Sequence, residues 1–497
     1  MPVSLSLVAW AEASWPTGVA NPVIWSGLRL GRRLTHSSGA IAYATYYLVM
    51  GTDHGSLRAR KLRCVGGCVM AVTDEDINVF LWCSYIPRPS LDLLQPILDD
   101  PKGFRDLRRW MSRAADDVLV AEGQILLKRA FQEQLRGAAP HHHVPLSGGI
   151  DSRVILAYLL HEVPADNITT VTYGLPGAYD FEYGRAVARM AKVRHEPIDL
   201  DRLQVTLADL HAVCTGGGDW TPVLRTFYSW HGFERGPENA TRWSGFLGDP
   251  LAGSHFQLSL SKLSYLEACS RFLRINQWTR VSKVRLSHPD IDLASLLPAA
   301  PPIEDPATVS YPEQLDLAVR QTSWIRKAVV PPGTRAPFLS SDWTRYMLAA
   351  PPELRMECRL YYRIAARLNP PLFELRTKSV RGHRLFGRAR AARYYAGVAG
   401  DKIEAMFRSL RGKPAFNKYL NFIDPQRSFE SHPDLRLLLR EAIMRLQDSR
   451  RLMWLDIPGL YREFLGGNRR LHDVMELLLS LDANIFGPHE PGKLNER

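Results

Sequence analysis

The chain has 497 residues, 45% hydrophobic and 23% charged, with 63 Lys and Arg against 51 Asp and Glu for a formal net charge of +12. That length predicts two or three domains, and the absence of any run of about 18 apolar residues excludes a helical membrane span. The positive balance favours polyanions or nucleotides as partners without choosing among them.

Residues 1 to about 100 read as β-rich. Ile41–Val49, Cys68–Thr73 and Ile77–Trp82 have the β-branched and aromatic content of strands, and Asp74-Glu75-Asp76 reads as a hairpin turn between the last two. From Gly103 to Gly137 the apolar spacing becomes helical, and Gly137 with Pro140 ends it. A short strand leads through Val144-Pro145-Leu146 into Ser147-Gly148-Gly149-Ile150-Asp151-Ser152-Arg153, and the apolar run Val154–Leu160 then reads as a buried helix. Ile168–Gly174 is a second strand, a helix runs through Met190, and Glu196–Leu200 is a third strand. Alternating strands and helices predict a parallel sheet with helices on both faces, which binds ligands at the carboxyl ends of its strands. The Gly216–Asp219 turn opens a helix through Phe227 to Trp230, Leu297–Pro306 is a surface linker, and the remainder is mostly helical with a basic section from Arg376 to Lys413.

The glycine-rich turn carries the chemistry. Placed between a strand and the first turn of a helix, its unpaired N–H groups and the positive end of the helix dipole favour a phosphate. Two glycines let the backbone approach phosphate oxygens, and Ser147 and Ser152 add hydroxyl donors. Asp151 would repel a bare phosphate but suits a magnesium ion held between phosphates. The turn resembles the pyrophosphate-binding PP-loop of the ATP pyrophosphatase superfamily. Four further segments follow in order: Gly174-Leu175-Pro176-Gly177 with Asp180, Ser244-Gly245-Phe246-Leu247-Gly248-Asp249-Pro250-Leu251, Thr334–Leu339, and Arg376-Thr377-Lys378.

Together these motifs resemble the synthetase domain of class B asparagine synthetases and their relatives, the β-lactam synthetases and lasso-peptide cyclases, over about residues 120 to 390. The resemblance implies an adenine nucleotide α-hydrolase-like α/β fold and ATP with Mg2+ as cofactors. It implies that the backbones of Leu146 and Tyr173, with Gly174 beside them, frame adenine. Ser147, Gly148, Gly149 and Ser152 would bind pyrophosphate, with Ser244 and Gly245 facing them. Asp151 and Asp249 would hold magnesium, and Lys378 would stabilise charge during adenylation or amide formation. The expected substrates are a small-molecule or peptide carboxylate and ammonia or an amine, with no membrane partner.

The chain also departs from that pattern. Position 2 is Pro rather than the catalytic Cys of the family's glutaminase, and the first cysteine is Cys64. Residues 1–115 are therefore expected to be a reduced, inactive glutaminase-like domain, residues 116–390 the ATP-binding domain, and residues 391–497 its helical extension. Nitrogen would come from free ammonia, a separate glutaminase or a substrate amine. Phe246 stands where asparagine synthetases have Glu and some ring-forming relatives have Tyr, and it cannot move a proton. Arg153 is also unusual for asparagine synthetases. Asp180 reads as a helix cap, and Arg225 and Asp219 as residues facing an acceptor. His141–His143 alternate faces on a strand and cannot chelate one ion. Cys64 and Cys68 lack a second pair for zinc, so thiols in a reducing cytoplasm are the default, and the N-terminus lacks the basic segment of a signal peptide. Two alternatives stand beside the ligase: a tRNA-modifying ATP pyrophosphatase and a catalytically reduced nucleotide-binding subunit. Nucleic acid is the less favoured partner, and a homodimer is compatible with the sequence.

Overall fold

The computed structural model describes residues 73–216, 220–234, 239–325, 333–386, 390–410, 416, 418–419 and 424–486. The chain divides into two units, Met1–Cys68 and Val69–Arg497, and the described residues all lie in the second. The strands expected at Ile41–Val49 and Cys68–Thr73 lie outside the described residues, Thr73 excepted.

The third expected strand is a helix. Asp74–Cys83 forms α1, and Asp74-Glu75-Asp76 is its first turn rather than a hairpin. Thr73 Oγ1 accepts from Asp76 N–H at 3.0 Å while the Asp76 carboxylate faces the Thr73 N–H, a reciprocal capping box. Three acidic side chains meet the positive end of the helix dipole. Every residue from Ile77 to Cys83 is buried, so the β-branched and aromatic content serves burial on all sides and leaves no helical period to read. The helical stretch expected from Gly103 to Gly137 is two helices, α2 (Pro101–Met111) and α3 (Asp116–Leu135). Asp100 caps the first through the Gly103 N–H at 2.8 Å, and Asp116 and Asp117 open the second.

The central sheet has four parallel strands, β1 (His141–Pro145), β2 (Ile168–Gly174), β3 (Arg194–Asp199) and β4 (Ala240–Arg242), in the order β3-β2-β1-β4. Helix α4 (Asp151–Glu162) connects β1 to β2, and α5 (Tyr179–Ala191) connects β2 to β3. Val144, Leu146 and Ile168 join α4 in one apolar core. Val171 and Ile198 turn to a second core built with α6 (Leu207–Gly216) and α7 (Val223–Glu234). Side chains three residues apart on a strand point to opposite faces, so helices cover both sides of the sheet as its sequence predicts. The first core continues into α8 (Gly248–Ala252) and α11 (Arg359–Ala366), while α9 (Tyr265–Asn276) and α10 (Tyr311–Leu315) pack in a separate cluster.

Beyond the two-stranded hairpin β5 (Arg376–Thr377) and β6 (His383–Arg384) the described chain is helical: α12 (Arg390–Leu410), α13 (Pro433–Asp448) and α14 (His472–Phe486). The basic section thus begins as a hairpin and continues into α12. The proline-rich linker is irregular, but Leu297 at its start is buried in a small third core. No helix among the described residues is long and apolar enough to cross a membrane.

Candidate active site

The loop expected to hold phosphate lies between the end of β1 and the start of α4. Ile150 at the helix N-cap position offers no side-chain cap, so the first N–H groups of α4 face the loop. Three loop N–H groups are directed at side-chain oxygens. Ser147 N–H donates to Ser152 Oγ at 3.1 Å, Gly149 N–H to Ser147 Oγ at 3.2 Å, and Gly148 N–H to Asp180 Oδ1 at 3.2 Å. Rotatable hydroxyls are acceptors that an incoming phosphate can replace. A Cβ on Gly148 would stand 2.5 Å from the Tyr179 carbonyl oxygen, so α5 packs on the loop only because glycine is there.

Asp151 and Asp249 meet across the carboxyl ends of β1 and β4. Asp249 N–H donates to Asp151 Oδ2 at 3.3 Å, and Tyr361 on α11 donates its hydroxyl to Asp151 Oδ1 at 2.7 Å. Both glycines of the Ser-Gly-x-x-Gly-Asp segment make room for Asp151. A Cβ would lie 2.9 Å from Asp151 Cβ at Gly245 and 2.6 Å from its Cγ at Gly248. Burial and then the facing Asp249 carboxylate hold the Asp151 carboxyl well above the usual carboxylate range. Asp249 is also raised, chiefly by desolvation. Two crowded carboxylates are the oxygen donors that suit a hard divalent cation. Asp249 lies in the first turn of α8, whose N-cap position is Leu247.

The Thr334–Leu339 motif supports this corner from outside. Arg335 N–H donates to the Arg242 carbonyl at 2.8 Å and Ser244 N–H to the Arg335 carbonyl at 2.9 Å. The segment thereby runs parallel to the end of β4 and fixes where Ser244 and Gly245 begin.

Lys378 reaches the loop through Asp180. Its Nζ lies 2.5 Å from Asp180 Oδ2 in a largely buried ion pair. Asp180 is not the cap that its position before a helix suggests. The N-cap of α5 is Ala178, and Asp180 bridges the Gly148 N–H to Lys378. The Gly148 carbonyl in turn accepts from Thr377 Oγ1 at 2.8 Å, Lys378 N–H at 3.0 Å and Arg153 Nη2 at 3.1 Å. Arg153 is fully buried and also donates to the carbonyls of Arg376 (2.6 Å), Leu372 (3.2 Å) and Leu375 (3.4 Å). Desolvation lowers its pKa to about 10, which leaves it charged at neutral pH. The arginine that looked out of place in the sequence is a staple between the loop and the segment bearing Lys378.

Other expected positions are more structural. Leu146 is buried, its N–H donates to the Val171 carbonyl at 2.7 Å and its carbonyl accepts from Thr172 Oγ1 at 2.6 Å. Tyr173 and Gly174 pair with Ile198 and Asp199 at the end of β2. Phe246 packs half-buried against the core. Arg225 is held by the buried Glu476 at 3.0 and 3.3 Å and covers the Trp278 ring, so it is not turned to an acceptor, and Asp219 lies outside the described residues. His142 accepts from Trp243 Nε1 at 3.1 Å within the core, and among the described residues no three metal-binding side chains cluster.

Residues 122–215 match the family model described as asparagine synthase. The chain carries an asparagine synthetase-like synthetase domain. The match spans the glycine-rich loop, β2 and α5, including Asp151 and Asp180. Asp249 and Lys378 lie beyond it and stand near the loop by geometry alone. No curated protein matches the chain. Reading the sequence of this asparagine synthetase-like domain missed Tyr361, which sits on the buried face of a short amphipathic helix without a motif, and the task of Arg153. Thr377 was within sight, inside the Arg-Thr-Lys triplet.

Proposed function

We infer that the protein is an ATP- and magnesium-dependent amide-forming ligase, which adenylates a carboxylate, releases pyrophosphate and passes the acyl group to ammonia or an amine. The observation that carries this reading is the meeting of Asp151 and Asp249 beside the glycine-rich loop, with Lys378 tied to the same loop. Asp151 and Asp249 would hold Mg2+, which would supply positive charge to offset that developing on the phosphate. Ser147, Gly149 and Ser152 supply donors for the pyrophosphate. Lys378, oriented by Asp180, supplies a cation that can serve a phosphate oxygen and then an oxyanion. Tyr361 is a positioning residue that fixes the rotamer of Asp151. Phe246 takes no part in proton transfer, so deprotonation of the amine falls to another group or to the amine itself.

Incubation with Mg·ATP, a panel of carboxylates and ammonium or hydroxylamine is expected to yield AMP and pyrophosphate in equal amounts. Asp151→Ala is expected to abolish both, and glutamine is not expected to replace ammonium. ATP cleaved only to ADP would refute the reading. Tight Mg·ATP binding without turnover across the panel would favour the reduced nucleotide-binding subunit.

A further inference from the structure

A cavity of about 210 Å³ lies beside α8, immediately after Asp249 in the chain, walled by the 254–260 loop, by α9 and by α10 with the turn that continues it. It exceeds the volume of about 150 Å³ that holds benzene in an engineered core. One side is apolar, formed by Phe256, Leu260, Phe272 and Leu317. The acids lining it are already compensated. Glu313 is paired with Arg355 at 2.6 Å, and Asp316 accepts from His255 at 2.9 Å and from Gln321 at 3.1 Å, with Arg320 at 3.6 Å. The half-buried Arg271 lines the same cavity and has no carboxylate within ion-pair distance among the described residues. A guanidinium with no anionic partner, at the edge of an apolar chamber, is suited to the bidentate grip of a carboxylate whose body fills the chamber. Its place beside Asp249 sets such an acid next to the paired aspartates.

We propose that this cavity binds an organic acid with an apolar aliphatic or aromatic body, and that Arg271 receives its carboxylate. The binding stands on the cavity itself; only its use, as the substrate class of the ligase, rests on the adenylating reading above. The test is equilibrium binding of phenylacetate, hexanoate and the uncharged phenylacetamide to the full-length protein without nucleotide, followed by ligand-observed NMR. The same titrations are made on Arg271→Gln and on Leu260→Trp, which narrows the chamber, and Mg·ATP binding is measured on all three proteins. At least one of the acids is expected to bind saturably. Its affinity should fall about tenfold or more in each variant, with Mg·ATP affinity unchanged, and phenylacetamide should bind more weakly than phenylacetate. Acid affinity unchanged in Arg271→Gln, acid and amide binding alike, or no saturable binding of either acid up to about 10 mM each overturn the proposal. Acid binding as expected in a protein that fails to bind Mg·ATP upholds the cavity and refutes the adenylating reading instead.

Discussion

Arg153 and Asp249 make opposite demands on the fold. Arg153 gives donors to four carbonyls from a position with no access to water, and lysine cannot reproduce that fork. Arg153→Lys is expected to cost about 2–3 kcal/mol in urea unfolding and to weaken Mg·ATP binding, because the Gly148 carbonyl loses one of three donors. Unchanged stability would remove the staple from the account. Asp249 is maintained against its environment, since burial raises its own carboxyl and its charge adds to the burial that raises Asp151. Asp249→Asn is therefore expected to raise the melting temperature of the magnesium-free protein while lowering pyrophosphate release by about 100-fold or more. A lower melting temperature in that variant would show that the pair is not strained. Neither behaviour was legible in the sequence. A motif tells which carboxylates recur, whereas their repulsion depends on a contact between residues 98 positions apart.

At the scale of elements, legibility followed periodicity. The bounds of β2 were read to the residue because a β-branched run ends in glycine, and α5 was read because its apolar face repeats. Helix α1 was misread because a helix buried on every side has no stripe. Strand β4 gave no signal, since three residues are too few for alternation to show. The sheet also carries a titratable burden. His195 on β3 touches Thr170 Oγ1 at 2.9 Å, and desolvation lowers its pKa to about 4 against an ordinary value near 6.5. Below pH 6.5 the unfolded chain takes up a proton that the folded chain refuses. The contribution of the neutral imidazole is thus complete above that pH and is lost as pH falls toward 4. Solvent screening at this half-buried ring limits the loss to about 2 kcal/mol. His195→Gln should flatten the decline in urea stability between pH 7 and pH 5, and an unaltered slope would assign that decline to other groups.

At the scale of the molecule, several of the basic side chains among the described residues are paired with carboxylates. Arg363 and Arg367 hold Asp116 and Asp117, Arg445 holds Asp482, and Arg355 holds Glu313. Cations already held by carboxylates are less available to a phosphate backbone, so tRNA is expected to bind no tighter than about 10 µM at physiological salt. Submicromolar binding that falls steeply with salt would reopen the tRNA-modifying alternative. The unit from Val69 onward contains both large cores and the whole candidate site. A chain beginning at Val69 is expected to unfold cooperatively and to retain Mg·ATP affinity within about threefold. A larger loss would assign part of the site to residues 1–68.

Two of the three donors to the Gly148 carbonyl lie on Thr377 and Lys378, the first of them 229 residues later in the chain. At about 5–20 residues per second of synthesis, those donors emerge roughly 10–50 s after the loop itself. During that interval a ribosome-bound chain can already have β1, α4 and β2 while its phosphate turn remains unlatched. If the proposed ATP-dependent reaction holds, nucleotide affinity would come late in biosynthesis, and a product truncated before Thr377 would fold its sheet without gaining it.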